Sequence, residues 1–214
     1  MNRQIYISEA AYPAVLRALC ELGEVVPVRF EPRLGAFTGD HTDLRLINLS
    51  GELIFSEKSD FSPDYPKNAA WCAVALDGLL LHRLDITAKP ILDAAKRRNF
   101  RLVNCRQGYA KCSAVVVDGK SVITSDTGVA RALSGAGVSV LTVAPGFVEL
   151  PGFDTGFIGG ATGRVGDELY FNGDLSAHPD YTRIIEFCEA RGVRVRHFPG
   201  LPLRDIGSII EYIK

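Results

Sequence analysis

No apolar run in the 214 residues approaches the roughly 18 that a membrane helix requires. The N-terminus passes straight into Gln4-Ile5-Tyr6-Ile7-Ser8, with no basic segment, apolar core or cleavage site, so no secretory leader is expected. Charge of one sign is also missing. A formal net charge of −1 leaves no surplus to attract nucleic acid or an acidic membrane surface. There are five cysteines, an odd number without framework spacing, which argues against a disulfide-stapled secreted fold. These absences predict a soluble cytoplasmic protein. No cofactor motif is present either. The Gly-Gly-Ala-Thr-Gly run beginning at Gly159 lacks the Lys and Ser or Thr of a phosphate loop and is not a dinucleotide fingerprint. What remains is 47% apolar and 23% charged, an ordinary balance able to fill the core of one large domain or two small ones.

Residues 104–133 hold the clearest structural unit. Two apolar runs flank Asp118-Gly119, a hairpin signal because the turn needs positive φ and glycine supplies it. Cys112 is placed at the opening of the first of those strands. Asp126 follows as an N-cap, with Val129, Ala132 and Leu133 at helical spacing, and Gly137 ends the helix before a third strand. The unit reads ββαβ. The same order recurs with Ser50-Gly51, Asp77-Gly78 and Gly166-Asp167 at the turns. Asp85 and Asp174 stand at helix starts, and Asn99 and Gly192 at helix ends. At the N-terminus a strand (residues 4–8) leads to a helix carrying Tyr12, Val15, Leu16 and Leu19, which Gly23 ends, and then to another strand. This first unit lacks its leading strand. Residues 56–68, with two prolines, read as a loop or single turn. An orphan strand at residues 208–213 matches the one missing from the first unit.

A period of about 40 residues belongs to repeat architectures. Ring closure by the chain ends would account for both anomalies and remove open sheet edges. The expected architecture is one α/β domain over 1–214, a five-fold pseudosymmetric propeller of ββαβ units. Their bounds are approximately 207–214 with 1–30, then 39–66, 69–104, 108–144 and 157–198.

Five ββαβ units in a ring resemble the pentein, or β/α-propeller, fold of the guanidino-modifying enzymes, which include arginine deiminase, agmatine deiminase, amidinotransferases and dimethylargininase. Five segments carry the resemblance: QGYAKCS from Gln107, ITSDTG from Ile123, GFIGGATG from Gly156, FNGDLSAHPD from Phe171 and PLRDIGSII from Pro202. They are most similar to a bacterial family of short pentein proteins with a domain of unknown function. The resemblance implies a cysteine that attacks a guanidinium carbon, a histidine that shuttles protons and carboxylates that grip the cation. It also implies a thiol-dependent hydrolase or deiminase acting on the C–N bond of a small guanidino or amidino compound. In those enzymes the nucleophile lies near the chain end. Here the end carries Ser208 instead.

Carried onto this chain, the nucleophile is Cys112, beside Lys111, whose charge would favour a thiolate. His41 and Asp43 are the proton-transfer pair, two apart on an extended strand so that both face one way. Asp205, Asp174, Lys111, Gly159 and Gly160 are the substrate-binding candidates. Plainer readings stand beside these. Cys112 is also a small buried apolar side chain, and residues 37–43 are also a polar loop. Asp174 and Ser176 also suit helix capping, and the glycines also let strands crowd together. Cys20 and Cys188, on helix stripes, should be shielded. The alternative function is a catalytically silent pentein acting as a binding module, as the anti-association ribosome factor does. A small ligand is the expected partner, with neither membrane nor nucleic acid involved.

Overall fold

The structure, a computed structural model, describes residues 2–214. In chain order, β1 (Arg3–Ser8), α1 (Pro13–Cys20) and β2 (Glu24–Val28) come first. A hairpin of β3 (Leu46–Leu49) and β4 (Glu52–Phe55) follows, with single 3-10 turns at Lys58–Asp60 and Lys67–Ala69 in place of a helix. Next are β5 (Val74–Leu76), β6 (Leu79–His82), α2 (Lys89–Arg97) and β7 (Arg101–Asn104). The short α3 (Ala110–Ser113) leads into β8 (Ala114–Asp118), β9 (Ser121–Thr124), α4 (Thr127–Gly135) and β10 (Ser139–Thr142). After a long connector come β11 (Thr162–Val165), β12 (Glu168–Phe171), α5 (Tyr181–Glu189), β13 (Arg194–Arg196) and finally β14 (Ile210–Ile213).

These make a mixed α/β chain of small sheets: β14-β1-β2, β3-β4, β5-β6-β7, β8-β9-β10 and β11-β12-β13. Each hairpin pair is antiparallel, and each strand returning after a helix pairs parallel, as at Leu80↔Leu102, Val122↔Val140 and Leu169↔Val195. The two ends of the chain share a sheet, with Arg3↔Ile213 through Tyr6↔Ile210 in antiparallel register. Among the described residues no sheet closes on itself. The leading strands of the sheets touch in succession, β14 against β3, β3 against β5, β5 against β8, β8 against β11, and β11 against β14. Apolar cores fill the spaces between neighbouring sheets. Val129 and Leu133 of α4 pack with Val74 and Leu81 of one sheet and Val122 of the next. No helix is long and apolar enough to cross a membrane.

Several local expectations change. Asp85 does not cap α2, because Ala88 takes the N-cap position and the Asp85 carboxylate pairs with Arg83. Asp174 lies before a turn and accepts from the Ser176 N–H at 2.9 Å, while Asp180 stands at the start of α5. Gly23 is not a left-handed helix end. It is glycine because a Cβ there would press on the Arg3 carbonyl oxygen. Cys20 is exposed, not shielded, whereas Cys188 is buried as its stripe predicts. By contrast, Asn99, Gly137 and Gly192 do take positive φ (55°, 89° and 67°) at helix ends, where Cβ strain selects glycine or asparagine.

Asp126 is the aspartate that caps as expected, its Oδ1 accepting from the Val129 N–H at 2.8 Å. Its Oδ2 also accepts from Gln107 Nε2 at 3.0 Å, which ties the helix start to the loop before α3. Asp126→Ala should therefore lower the unfolding free energy by about 0.5–2 kcal/mol. A urea midpoint unchanged from the parent would remove the capping role.

His82 fixes the same loop from the other side. Its Nε2 lies 2.7 Å from the Gly108 carbonyl oxygen, which can only accept, so Nε2 carries the proton, and Nδ1 lies 2.8 Å from Thr87 Oγ1, a hydroxyl that also reaches the Arg83 carbonyl at 3.1 Å. Burial pushes the imidazole down to about 4. A base whose folded pKa is depressed stabilises the fold above its unfolded value near 6.5. That contribution is lost as pH falls from about 6.5 to about 4 and amounts to roughly 3 kcal/mol. Unfolding free energy measured against pH should fall through that window, and the slope should flatten in His82→Gln. An equal slope in both proteins would assign the acid sensitivity elsewhere.

Candidate active site

The chain brings together residues from three distant segments. Residues 41–44 form a 3-10 turn, Thr42–Leu44, with His41 at its N-cap, so the extended-strand geometry expected for His41 and Asp43 does not occur. Both are buried nonetheless, at 3% and 1% exposure. The Asp43 N–H donates to the Gly207 carbonyl at 2.9 Å, which locks this turn to the segment before β14. Cys112 lies in α3, two residues before β8, not on the strand itself. Helical geometry there aims the thiol back at the Thr42–Leu44 turn.

The Cys112 thiol lies 3.0 and 3.2 Å from the two Asp43 oxygens and donates to that carboxylate. A ring nitrogen of His41, a carboxylate oxygen of Asp43 and the sulfur of Cys112 all lie within 4.8 Å of one another. Among the described residues this is the one set of three such side chains close enough to share a metal ion. Asp205 adjoins it, with Oδ1 3.9 Å from His41 Nδ1. The Asp205 carboxylate also accepts from the Phe157 and Gly207 N–H groups at 2.9 and 3.0 Å. Asp205 is fully enclosed, and burial raises its pKa, with nearby His41 and the two backbone donors opposing.

Burial raises the Cys112 thiol well above its ordinary range, and the hydrogen bond with Cys72 and the Asp43 charge push the same way. Lys111 does not counter this. Its ammonium turns away and donates to Ser208 Oγ at 3.0 Å, while Ser208 donates to Asp43 Oδ2 at 2.6 Å. The thiol is therefore protonated at neutral pH, contrary to the thiolate that the Lys111 neighbour suggested.

His41, Cys112 and Asp205 form the floor of a cavity of about 360 Å3 whose walls include Leu34, Phe37, Tyr109, Leu150, Phe153 and Phe157. Asp43 and Lys111 line a separate cavity of about 260 Å3 bounded by the leading strands of the sheets. The polar cluster thus divides two spaces. Gly159 and Gly160 adjoin it through the backbone, the Gly160 N–H donating to the Cys112 carbonyl at 2.7 Å. A Cβ on Gly160 would overlap the Asp205 carboxylate, and one on Gly159 would strike the backbone of Cys112 and Ala114. Crowding of chain segments explains both glycines. Asp174 is not part of this group. It accepts from Ser176, His197 and Gly200, at a different cavity shared with His178.

Three further residues adjoin the cluster, and of these sequence reading missed Asn68. Cys72 lies 3.7 Å, sulfur to sulfur, from Cys112, and the two are 40 residues apart. That spacing is one period of the repeat, and the two cysteines hold matching places in adjacent units. Ser208 is fully buried at φ 71°. Asn68 is 7% exposed, lines the cavity above Cys112 and has no partner for its Oδ1. Nothing local in the sequence marks Asn68.

The sequence pattern described as a "Family of unknown function (DUF6873)" matches residues 40–210. The chain belongs to this family. The matched span contains every residue of the cluster, from His41 to Ser208. No curated protein matches the sequence. Among solved structures, the fold is similar to that of a dimethylarginine dimethylaminohydrolase, crystallised as an adduct with 4-chloro-2-hydroxymethylpyridine. The likeness covers 92% of each chain with a TM-score of 0.58 at 9% identity, so it concerns the fold alone.

Proposed function

We propose that this member of the family is a single-domain, five-bladed pentein and a thiol-dependent hydrolase or deiminase of a small guanidino or amidino compound. The succession of touching leading strands and the shared sheet of the chain ends support the ring. One observation carries the activity: Cys112, His41 and two carboxylates, Asp43 and Asp205, converge at and beneath the floor of one cavity. A reactive thiol, a proton carrier and paired acceptors for a cation are the groups this chemistry needs.

The high thiol pKa becomes part of the mechanism. A bound amidinium puts positive charge beside Cys112 and Asp205, and opposite charge nearby lowers a thiol pKa. The proton then passes to His41 and the sulfur adds to the amidine carbon. His41 returns that proton to the departing amine as the C–N bond breaks. Water, deprotonated by His41, attacks the same carbon, and the thiol leaves with its proton restored.

Substrate-assisted activation predicts a preference. Cationic 2-chloroacetamidine should alkylate Cys112 at neutral pH at least tenfold faster than neutral 2-chloroacetamide of the same shape. One charge contact of about 1.4 kcal/mol is enough for that ratio. Exposed Cys20 should react with both, and buried Cys188 with neither. Peptide mapping by mass spectrometry reads all the thiols together. Equal rates at Cys112 would favour the second reading, a silent binding module. The thiol–Asp43 bond, which holds the sulfur protonated, already supports that alternative.

A further inference from the structure

The cavity above the cluster has a composition that narrows its ligand, on the reading that it is a guanidino site. Its charged lining residues are His41 and Asp205, both on the floor, and among the described residues no lysine or arginine lines it. A substrate bearing a carboxylate, as amino acids do, would bring an uncompensated anion into a largely apolar space. A second cationic group at the far end of a substrate would find no carboxylate on the walls either. The walls are aromatic and aliphatic. Phe37 and Phe153 meet edge to face at the mouth, 6.1 Å between ring centres, and are 49% and 57% exposed. Large apolar side chains so uncovered at a cavity rim signal contact with an apolar group. Tyr109 and Phe157 pack together at 6.3 Å farther in.

A second observation points to the ligand's other end. The Asn68 amide donates from Nδ2 to the Pro63 carbonyl at 3.3 Å, which orients the group and leaves its Oδ1 without a donor. Buried acceptors are rarely left unpaired. Asp205 and Asn68 Oδ1 are both acceptors on the lining of this cavity, and a planar cation carries N–H groups for them.

We infer that the substrate is a monocationic amidine or guanidine carrying an aryl or bulky apolar substituent and no carboxylate. The cationic head meets Asp205, Asn68 and Cys112, and the substituent lies against the exposed faces of Phe37 and Phe153.

Three probes test this: N-benzylguanidine, methylguanidine and arginine. Each competes with 2-chloroacetamidine for Cys112, and each is titrated into unmodified protein by calorimetry, a readout independent of thiol reactivity. Benzylguanidine should bind about tenfold or more tightly than methylguanidine, from burial of its ring. Arginine should bind no better than methylguanidine. Phe153→Ala should weaken benzylguanidine about two- to tenfold and methylguanidine less. Arginine binding as tightly as benzylguanidine, or no preference between benzylguanidine and methylguanidine, overturns the substrate class while leaving the guanidino site intact. Calorimetric binding of benzylguanidine without any labelling of Cys112 keeps the class and removes the catalytic reading. Failure of all three guanidines to bind removes both.

Discussion

Truncation after Asp205 is expected to abolish cooperative unfolding. The lost segment contains β14, whose four paired positions cover one edge of β1. Without it those backbone groups have no partner in the sheet, and buried main-chain donors and acceptors rarely go unsatisfied. The segment also contributes Ile206, Ile209 and Ile210, each at least 92% buried. At about 1.5–3 kcal/mol for each buried aliphatic side chain, their removal costs as much as a domain's typical stability of roughly 5–15 kcal/mol. The Asn48 side chain, which donates to the Glu211 carbonyl at 2.7 Å, would lose its partner in the neighbouring sheet. Circular dichroism on heating should show a broad, non-cooperative change. A sharp transition near the parent's midpoint would mean that pairing of the chain ends contributes little.

Gly207→Ala is expected to damage stability and site together. Gly207 has φ 70°, and a Cβ there would overlap Cα, Cβ and Cγ of His41. Left-handed backbone costs an L-residue about 1–2 kcal/mol, and overpacking a filled interior adds about 1–3 kcal/mol. The combined loss should be roughly 2–5 kcal/mol. Gly192→Ala is the control, because Gly192 shares that conformation at φ 67° with nothing within 4 Å. It should show the smaller backbone cost alone. Gly207 also donates to Asp205 and accepts from the Asp43 N–H, so its displacement moves both carboxylates. Labelling of Cys112 by 2-chloroacetamidine should fall at least tenfold while Cys20 is unaffected. Equal stability losses at the two glycines would mean that His41 yields without cost.

Most hairpin turns and helix ends were legible from local residues because their causes are local. Gly119 is an exception, since its φ is not positive and a Cβ there would overlap the Asp77 carboxylate from the neighbouring unit. Gly78 and Gly166 supply positive φ for hairpins, and Asn99, Gly137 and Gly192 supply it where helices stop. Asp126 caps because its own helix offers the N–H group three residues on. Asp85 and Asp174 share the sequence position but not the role. Helices α2 and α5 begin later than the pattern implied, and each aspartate found a nearer partner in Arg83 or Ser176. The period of the repeat likewise announced small sheets in series, since each unit writes its own alternation of apolar runs and turns.

The site was legible only as a set of residue types. His41, Asp43, Cys112 and Asp205 could be named as candidates, but their convergence depends on segments 69 and 165 residues apart in sequence, as the Asp43–Cys112 and Asp43–Ser208 bonds show. Tertiary packing also reversed the electrostatics expected of the thiol. Sequence adjacency put Lys111 beside Cys112, yet the side chains of α3 diverge, and the lysine reaches Ser208 while the thiol meets a carboxylate. Hairpin turns and helix stops were thus determined by the chain itself, because neighbouring residues set φ and cap hydrogen bonds. Charge, access and partners at the cluster were decided by burial between sheets, because desolvation and Coulomb terms depend on distances in space that no local pattern encodes.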